Sequence, residues 1–555
     1  MSGPSQRLRA DHLPLTLDRT LVPDQVLRRG TVGAYRTLSI EAGELHLVRT
    51  DLTTAHARAG TRWPLAVFAH ATDLQLADVQ SPGRFEFCDR YREDPSFHKL
   101  LPMHRPQEAL AARAAEAMVR SLNALISAPV SGAAIDLVLT TGDAIDNAQW
   151  NETQMFLALL DGGLVRPGSG VEEYEGVQAL QWPDDSFWQP DGTGTDPYQR
   201  RLGYPRLPGL LDAALADFVS PGLRLPWLAC LGNHEVLVQG VALLTEPLRA
   251  RLTGDRKSAM LPAGLDRSTL HERFLVAPEH LLTGEARVIG ADGGRRPIGR
   301  AEFVAAHLTT GSRPHGHGFS EQNRRDATAY YVHDVGRLRY VCLDTTCAAG
   351  GGDGWLDQDQ GRWLEARLAE VHSEYAAPDG TLLRTGATDQ VVVVFSHHGP
   401  DTMTNTRGLV VDDHHGRLTS GPALEALLHR FGNVVAWVNG HTHRNRVTPR
   451  PDPTGRSGGF WEITTSALAD WPCQTRVVEI LDNRDGSLSL VCTMADHDGI
   501  VRPDPALPWD GRWLSGLHRE LAGNEPWHGF DSGRRGRVED RNVDLRLRAP
   551  FPLDD

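Results

Sequence analysis

"WPLAVFAHATDLQ", residues 63–75, is an apolar run that ends on a carboxylate, Asp73, with an amide, Gln75, two residues on. The same shape recurs along the chain: "IDLVLTTGD" (135–143), "LPWLACLGNHE" (225–235), "LRYVCLDTT" (338–346), "VVVVFSHHGP" (391–400) and "NVVAWVNGHTH" (433–443). Each run is aliphatic or β-branched, too short for a helix, and closes on residues able to bind a ligand. Such runs read as buried strands. Helical patterns fall between several of them, at 108–127, 356–375 and 421–431. Strands alternating with helices predict an α/β fold. In such sheets ligands collect beyond the carboxyl ends of the strands, which is where the polar residues stand.

Bulk properties narrow the functional classes. The chain has 555 residues, 57 basic against 71 acidic for a net charge of -14, and 40% hydrophobic residues. Mean hydropathy is -0.34. No overall field draws nucleic acid or an anionic membrane, and neither is an expected partner. The six cysteines include no C-x-x-C pair, which fits buried thiols in a reducing compartment. Charged residues from Arg7 to Asp24 leave no apolar core for a signal peptide, and no run is long enough to span a bilayer. A cytoplasmic protein is expected.

Later in the chain, 458–468, 475–483 and 487–496 read as a β meander closing a second sheet, and 330–344 as a hairpin turning at Val335–Arg337. Residues 161–224, rich in glycine, proline and aromatics, read as an insertion over the catalytic face. Trp182, Trp188, Tyr198 and Tyr204 are its candidate lid residues, or else a surface loop's own packing. The expected organisation is an N-terminal extension (1–62), a catalytic unit (63–500) containing that insertion, and a polar, arginine-rich tail (501–555). His315 and His317 are expected in a solvated loop, and Arg444 and Asn445 are candidate phosphate donors.

Taken alone, each strand end is unremarkable: Gly-Asp is usually a turn, and a histidine pair is usually solvated. Their order is another matter. Asp73 with Gln75, "GDAID" with Asp143 and Asp146, "GNHE" with Asn233 and His234, "SHH" with His397 and His398, and "GHTH" with His441 and His443 follow one another, each after a strand. This series resembles the calcineurin-like metallophosphoesterase superfamily, whose pattern runs D-x-H, GD-x-x-D, GNH-[DE], H, GH-x-H. The stretches "DVQSPGRFEF" (78–87), "GFWEITTSALADWPCQTRVVEI" (459–480) and "DRNVDLRL" (540–547) are similar to those of a group of large bacterial members. The resemblance implies a four-layer αββα sandwich of two mixed sheets flanked by helices. It also implies hydrolysis of small-molecule phosphoesters, mono- or diesters, by two divalent ions (Mn, Fe or Zn) and a bridging hydroxide.

Two ions roughly 3.5–4 Å apart need a bridging oxygen ligand, which a carboxylate provides. By resemblance that ligand is Asp143. The first ion would then take Asp73, Asp143, His443 and Gln75, and the second Asp143, Asn233, His397 and His441, with His398 as a second candidate. Resemblance also makes His234 the proton donor to the leaving oxygen and Asp146 its orienting partner; Asp146 as a turn cap is the other reading. Gln75 departs from the pattern, which has histidine there. An amide oxygen favours Mg, Mn or Ca over Zn. The alternative is a single-metal or non-catalytic binding protein on the same fold, and a DNA nuclease is a third reading that the acidic balance opposes.

Overall fold

All six apolar runs form strands, at Trp63–Ala71, Leu137–Thr140, Trp227–Leu228, Leu338–Cys342, Val391–Phe395 and Val434–Asn439. The computed structural model describes residues 15–53, 62–311, 313–407 and 420–553. The rest of the N-terminal extension and the last two residues of the tail lie outside the described residues.

Two large mixed sheets organise the chain. In the seven-stranded sheet the order is 47–49, 543–548, 487–496, 474–482, 63–71, 137–140, 227–228. Trp63–Ala71 runs parallel to Leu137–Thr140, which runs parallel to Trp227–Leu228. The six-stranded sheet runs 331–335, 338–342, 391–395, 434–439, 460–464, 446–450. Its four central strands are parallel, with antiparallel edges. The carboxyl ends of both parallel sets therefore deliver Asp73, Asp143, Asn233, His397 and His441.

Side chains alternate across each strand, so one face of a sheet can meet its neighbour while the other meets helices. Phe68, Val478 and Ile480 of the larger sheet share a buried core with Tyr340, Val393 and Phe395 of the smaller. The rings of Phe68 and Tyr340 meet edge to face at 5.9 Å. The alternate residues Val341, Val392, Val394 and Trp437 pack instead on Leu364, Leu368, Leu424 and Leu428 of the helices Gln358–Ala369 and Gly421–Leu428. Met118, Val119 and Leu122 of helix Ala111–Ala124 join the core of the larger sheet. The architecture is mixed α/β. No helix among the described residues is long and apolar enough to cross a membrane.

Several expectations need correction. The meander is not one sheet: Phe460–Thr464 belongs to the six-stranded sheet, whereas Gln474–Asp482 and Ser487–Asp496 belong to the seven-stranded one. Residues 465–473 carry the chain between them, past the strand ends. Trp182, Trp188, Tyr198 and Tyr204 are buried rather than poised as lid residues. Trp188, Tyr198 and Tyr204 form a second core with Tyr35 of the N-terminal hairpin and Trp513 of helix Gly511–Asn524. Burying three large aromatics gains more than exposing them would. His317 is not solvated either; it is buried and stacks on Trp227 at 3.6 Å between centroids.

Segments on either side of 63–500 also enter its larger sheet. Val543–Arg548 pairs antiparallel with Ser487–Asp496, and Leu47–Arg49 pairs parallel with Val543–Arg548. Leu545 is fully buried in that added strand. Leu545→Ala is expected to cost about 2–5 kcal/mol in a denaturant unfolding titration. A change below about 0.5 kcal/mol would show that the tail strand is dispensable to the core.

Candidate metal centre

The strand ends are held in unusual backbone geometry. Asp73 (φ 51°), Gln75 (φ 44°), Asp143 (φ 49°), His441 (φ 64°) and His443 (φ 55°) all adopt left-handed conformations. For a residue with a Cβ this costs about 1–2 kcal/mol, and strain of this kind gathers at functional sites. The neighbouring glycines explain the motif spacing. A Cβ on Gly232 would lie 2.2 Å from Asp143 Oδ1, and one on Gly440 2.4 Å from Asp73 Oδ2. Glu235, the last letter of "GNHE", ties two turns together. Its carboxylate accepts from the backbone N–H groups of Gly232 (2.6 Å), Asp143 (2.9 Å), Ala144 (2.7 Å) and Ile145 (3.2 Å).

Around this frame the expected ligands converge. Asp73, Asp143 and His397 offer ligand atoms within 4.8 Å of one another, as do His397, His398 and His441. His397 donates from Nδ1 to the carbonyl oxygen of Thr141 (2.7 Å), which leaves Nε2 facing Asp143 Oδ2 at 3.1 Å and His441 Nδ1 at 3.2 Å. His443 donates from Nδ1 to Asp470 Oδ2 (2.6 Å), so its Nε2 faces Asp73 Oδ1 at 3.1 Å. Three buried oxygens at these turns, Asp73 Oδ1, Gln75 Oε1 and Asn233 Oδ1, have no hydrogen-bond donor among the described residues. Buried acceptors left this way are costly unless a cation serves them. Carboxylate oxygens and imidazole lone pairs facing one another, with the orphaned amide oxygens of Gln75 and Asn233 on the same turns, make a donor set that fits divalent ions.

His398 and Gln75 resolve differently. His398 has both ring nitrogens engaged, Nδ1 with Thr345 Oγ1 (2.9 Å) and Nε2 with the carbonyl of Gly352 (2.8 Å). It has no lone pair to spare, whereas His397 does. Gln75 Nε2 lies 3.3 Å from His234 Nε2 and 3.5 Å from His443 Nε2. A half-turn of the amide places Oε1 there instead.

His234 donates from Nδ1 to the main-chain carbonyl of Asp146 (2.7 Å), with that residue's Oδ1 further off at 3.5 Å. The carbonyl thus orients the ring more directly than the carboxylate does. Asp146 is itself fastened by the buried Arg84, whose guanidinium also binds Glu86 and Glu108. Burial opposes ionisation of Asp146, but Arg84 and His234 hold its pKa at about 2. Burial likewise disfavours the charged form of His234, and Asp143 and Asp146 more than offset it, raising its pKa to about 9. Burial alone would raise the Asp143 carboxyl; His397 and His234 hold it well below the usual range.

Sequence reading missed the residues behind the ligands. Asp470, in the crossover 465–473, fixes the tautomer of His443; Arg105 Nε in turn binds Asp470 Oδ1 at 2.8 Å. Nothing in their spacing signals this, since Asp470 lies 27 residues from His443 and Arg84 lies 62 from Asp146. Asn445 proves structural: it is buried, and its Oδ1 accepts from Ser466 N–H (3.0 Å). Asp470→Asn, which removes the acceptor charge behind His443, is expected to weaken metal binding about 10–100-fold. Metal titration of the stripped protein checks this, and unchanged affinity would detach His443 from metal binding.

No family model matches the chain, and no curated protein matches it. Among solved structures it is similar to a dimetal phosphatase from Danio rerio, at 11% identity and a TM-score of 0.34 over 78% of this chain and 99% of that one. A likeness so slight carries no weight on activity.

Proposed function

We propose that this chain hydrolyses phosphoester bonds of small molecules with two divalent ions held between its strand ends. The unit is residues 63–500 on a four-layer αββα plan, extended by the flanking segments 1–62 and 501–555. One observation supports the reading: the orphaned, buried Asp73 Oδ1 and the buried Asp143 Oδ2 each face an imidazole Nε2 whose ring donates from Nδ1 elsewhere. Asp73, Gln75 and His443 would hold one ion, Asn233, His397 and His441 the other, and Asp143 both. Bound ions would polarise the phosphoryl oxygens and make ionised water available near neutral pH.

The chain's own residues supply the remainder. His234, fastened through Nδ1, presents Nε2 to the leaving oxygen and gives it a proton. Glu235 and the motif glycines keep the ligand turns in register. Asp470 and Thr141 fix the tautomers of His443 and His397, so that Nε2 of each is the ligating atom.

The test is hydrolysis of an aryl phosphate monoester and the matching diester by protein stripped of metal and reloaded with Mn, Fe, Zn, Co or Ca. Turnover dependent on the added ion is expected, with Mn favoured over Zn by the Gln75 oxygen. Gln75→His is expected to shift that preference toward Zn. Bound metal without turnover of either ester would favour the binding-protein alternative.

A further inference from the structure

The arginine-rich tail reaches the metal centre. Segment 528–537 is stapled onto the ligand turn 440–445 from both sides. Asn445 N–H donates to the carbonyl of Arg534 (2.9 Å), and Arg534 Nη1 to the carbonyl of Thr442 (3.1 Å). Arg444 Nη2 lies 3.4 Å from the carbonyl of Ser532. Gly536, at φ 74°, comes so close that a Cβ would stand 2.4 Å from the Asn445 oxygen.

This docking gathers basic groups on one carboxylate. Asp470 is fully buried and receives His443 Nδ1 at 2.6 Å, Arg105 Nε at 2.8 Å, Arg534 Nη1 at 3.6 Å and His528 Nδ1 at 3.9 Å. Arg105 and Arg534 remain 18% and 17% open to solvent. The one side-chain hydrogen bond of Arg105 among the described residues is the Nε contact to Asp470, so both of its Nη groups are unspent. It also lies in the field of Asp146. Arg444 is exposed and makes no ion pair among the described residues. Two guanidiniums thus face Asp470, and the exposed Arg444 stands on the adjoining turn, in a chain whose net charge is -14. A guanidinium fork with free N–H groups suits phosphate and carboxylate oxygens.

We propose that Arg105, Arg444 and Arg534 form an anion-recognition rim beside His443, and that the substrate carries a second anionic group, phosphate or carboxylate, apart from the ester that is cleaved. The reference to a cleaved ester rests on the hydrolase reading above; the rim itself does not.

The experiment compares propyl phosphate with α,ω-alkanediyl bisphosphates of three to five carbons, on metal-loaded wild type, Arg444→Glu and Arg534→Lys. The leaving alkoxides are alike, so the ratio of kcat/KM values reports the second phosphate. A preference of at least about tenfold for one bisphosphate is expected in wild type, carried by KM and weakened by salt. Arg444→Glu is expected to abolish it, and Arg534→Lys to retain part of it. A general loss of folding or metal lowers both esters together and leaves the ratio unchanged. Equal ratios in wild type, or a preference that survives Arg444→Glu, overturn the rim. If neither ester is turned over, the hydrolase reading falls, and calorimetry of the same bisphosphate with metal-free protein decides the rim. Binding tighter than propyl phosphate in wild type and lost in Arg444→Glu supports it; no tighter binding overturns it.

Discussion

Asp143→Asn is expected to give a folded chain that no longer holds its full complement of metal and turns over no phosphoester at a measurable rate. Asp143 Oδ2 is the carboxylate oxygen facing His397 Nε2, and Oδ1 accepts from the backbone N–H of His234 at 2.9 Å. The substitution keeps the shape and replaces a charged oxygen with a neutral amide between the two halves of the donor set. The loss should exceed the about 10–100-fold cost of removing an outer partner such as Asp470. Metal content after dialysis, read beside circular dichroism, checks it. A variant that retains both ions would remove Asp143 from the proposed bridging role.

His234→Gln is expected to do the opposite: keep the metal and lose the rate. Its ring is 13% open, where a leaving group can reach it, and its Nε2 lies 3.8 Å from Asp143 Oδ2. General acid catalysis is worth about 10²–10⁴-fold, and the loss should fall on kcat rather than KM. Esters with poor leaving groups should suffer most, because they need the proton most. The pH profile carries the sign. A raised pKa means the donor is protonated below it, so activity should fall as pH rises past that point. In the metal-free chain the value is about 9; cations bound beside the ring as proposed would bring it lower, so the alkaline limb is expected below 9 and should vanish in His234→Gln. A limb that persists unchanged would assign the proton to another group.

These two residues were legible because their signals are local. Asp143 and His234 each follow an apolar run directly, with a glycine one or two residues before that makes room for a neighbouring turn. The apolar content and shortness of the run disclose the strand, and the strand end discloses the candidate ligand. The same holds for His397, whose lone spare nitrogen then separates it from His398 only in three dimensions.

Other features follow no local rule. Trp188, Tyr198 and Tyr204 looked like lid residues because nothing in their own segment shows what covers them; Tyr35 and Trp513, from opposite ends of the chain, do. The meander was misassigned because a strand's sheet is chosen by its partners, and no pattern within 460–464 distinguishes Val434–Asn439 from Gln474–Asp482 as a neighbour.

From sequence alone came the alternation of strands with helices, the order of the strand ends that carry the candidate ligands and the departure at Gln75. All of these depend on the apolar content and length of short segments and on residues adjacent in the chain. The tertiary structure alone decided which carboxylates and guanidiniums stand behind those ligands. Asp470 reaches His443 across a sheet-to-sheet crossover, and Arg84 reaches Asp146 from a loop 62 residues away. Buried charges must be paired wherever the fold brings partners together, and that pairing leaves no periodic trace in the sequence.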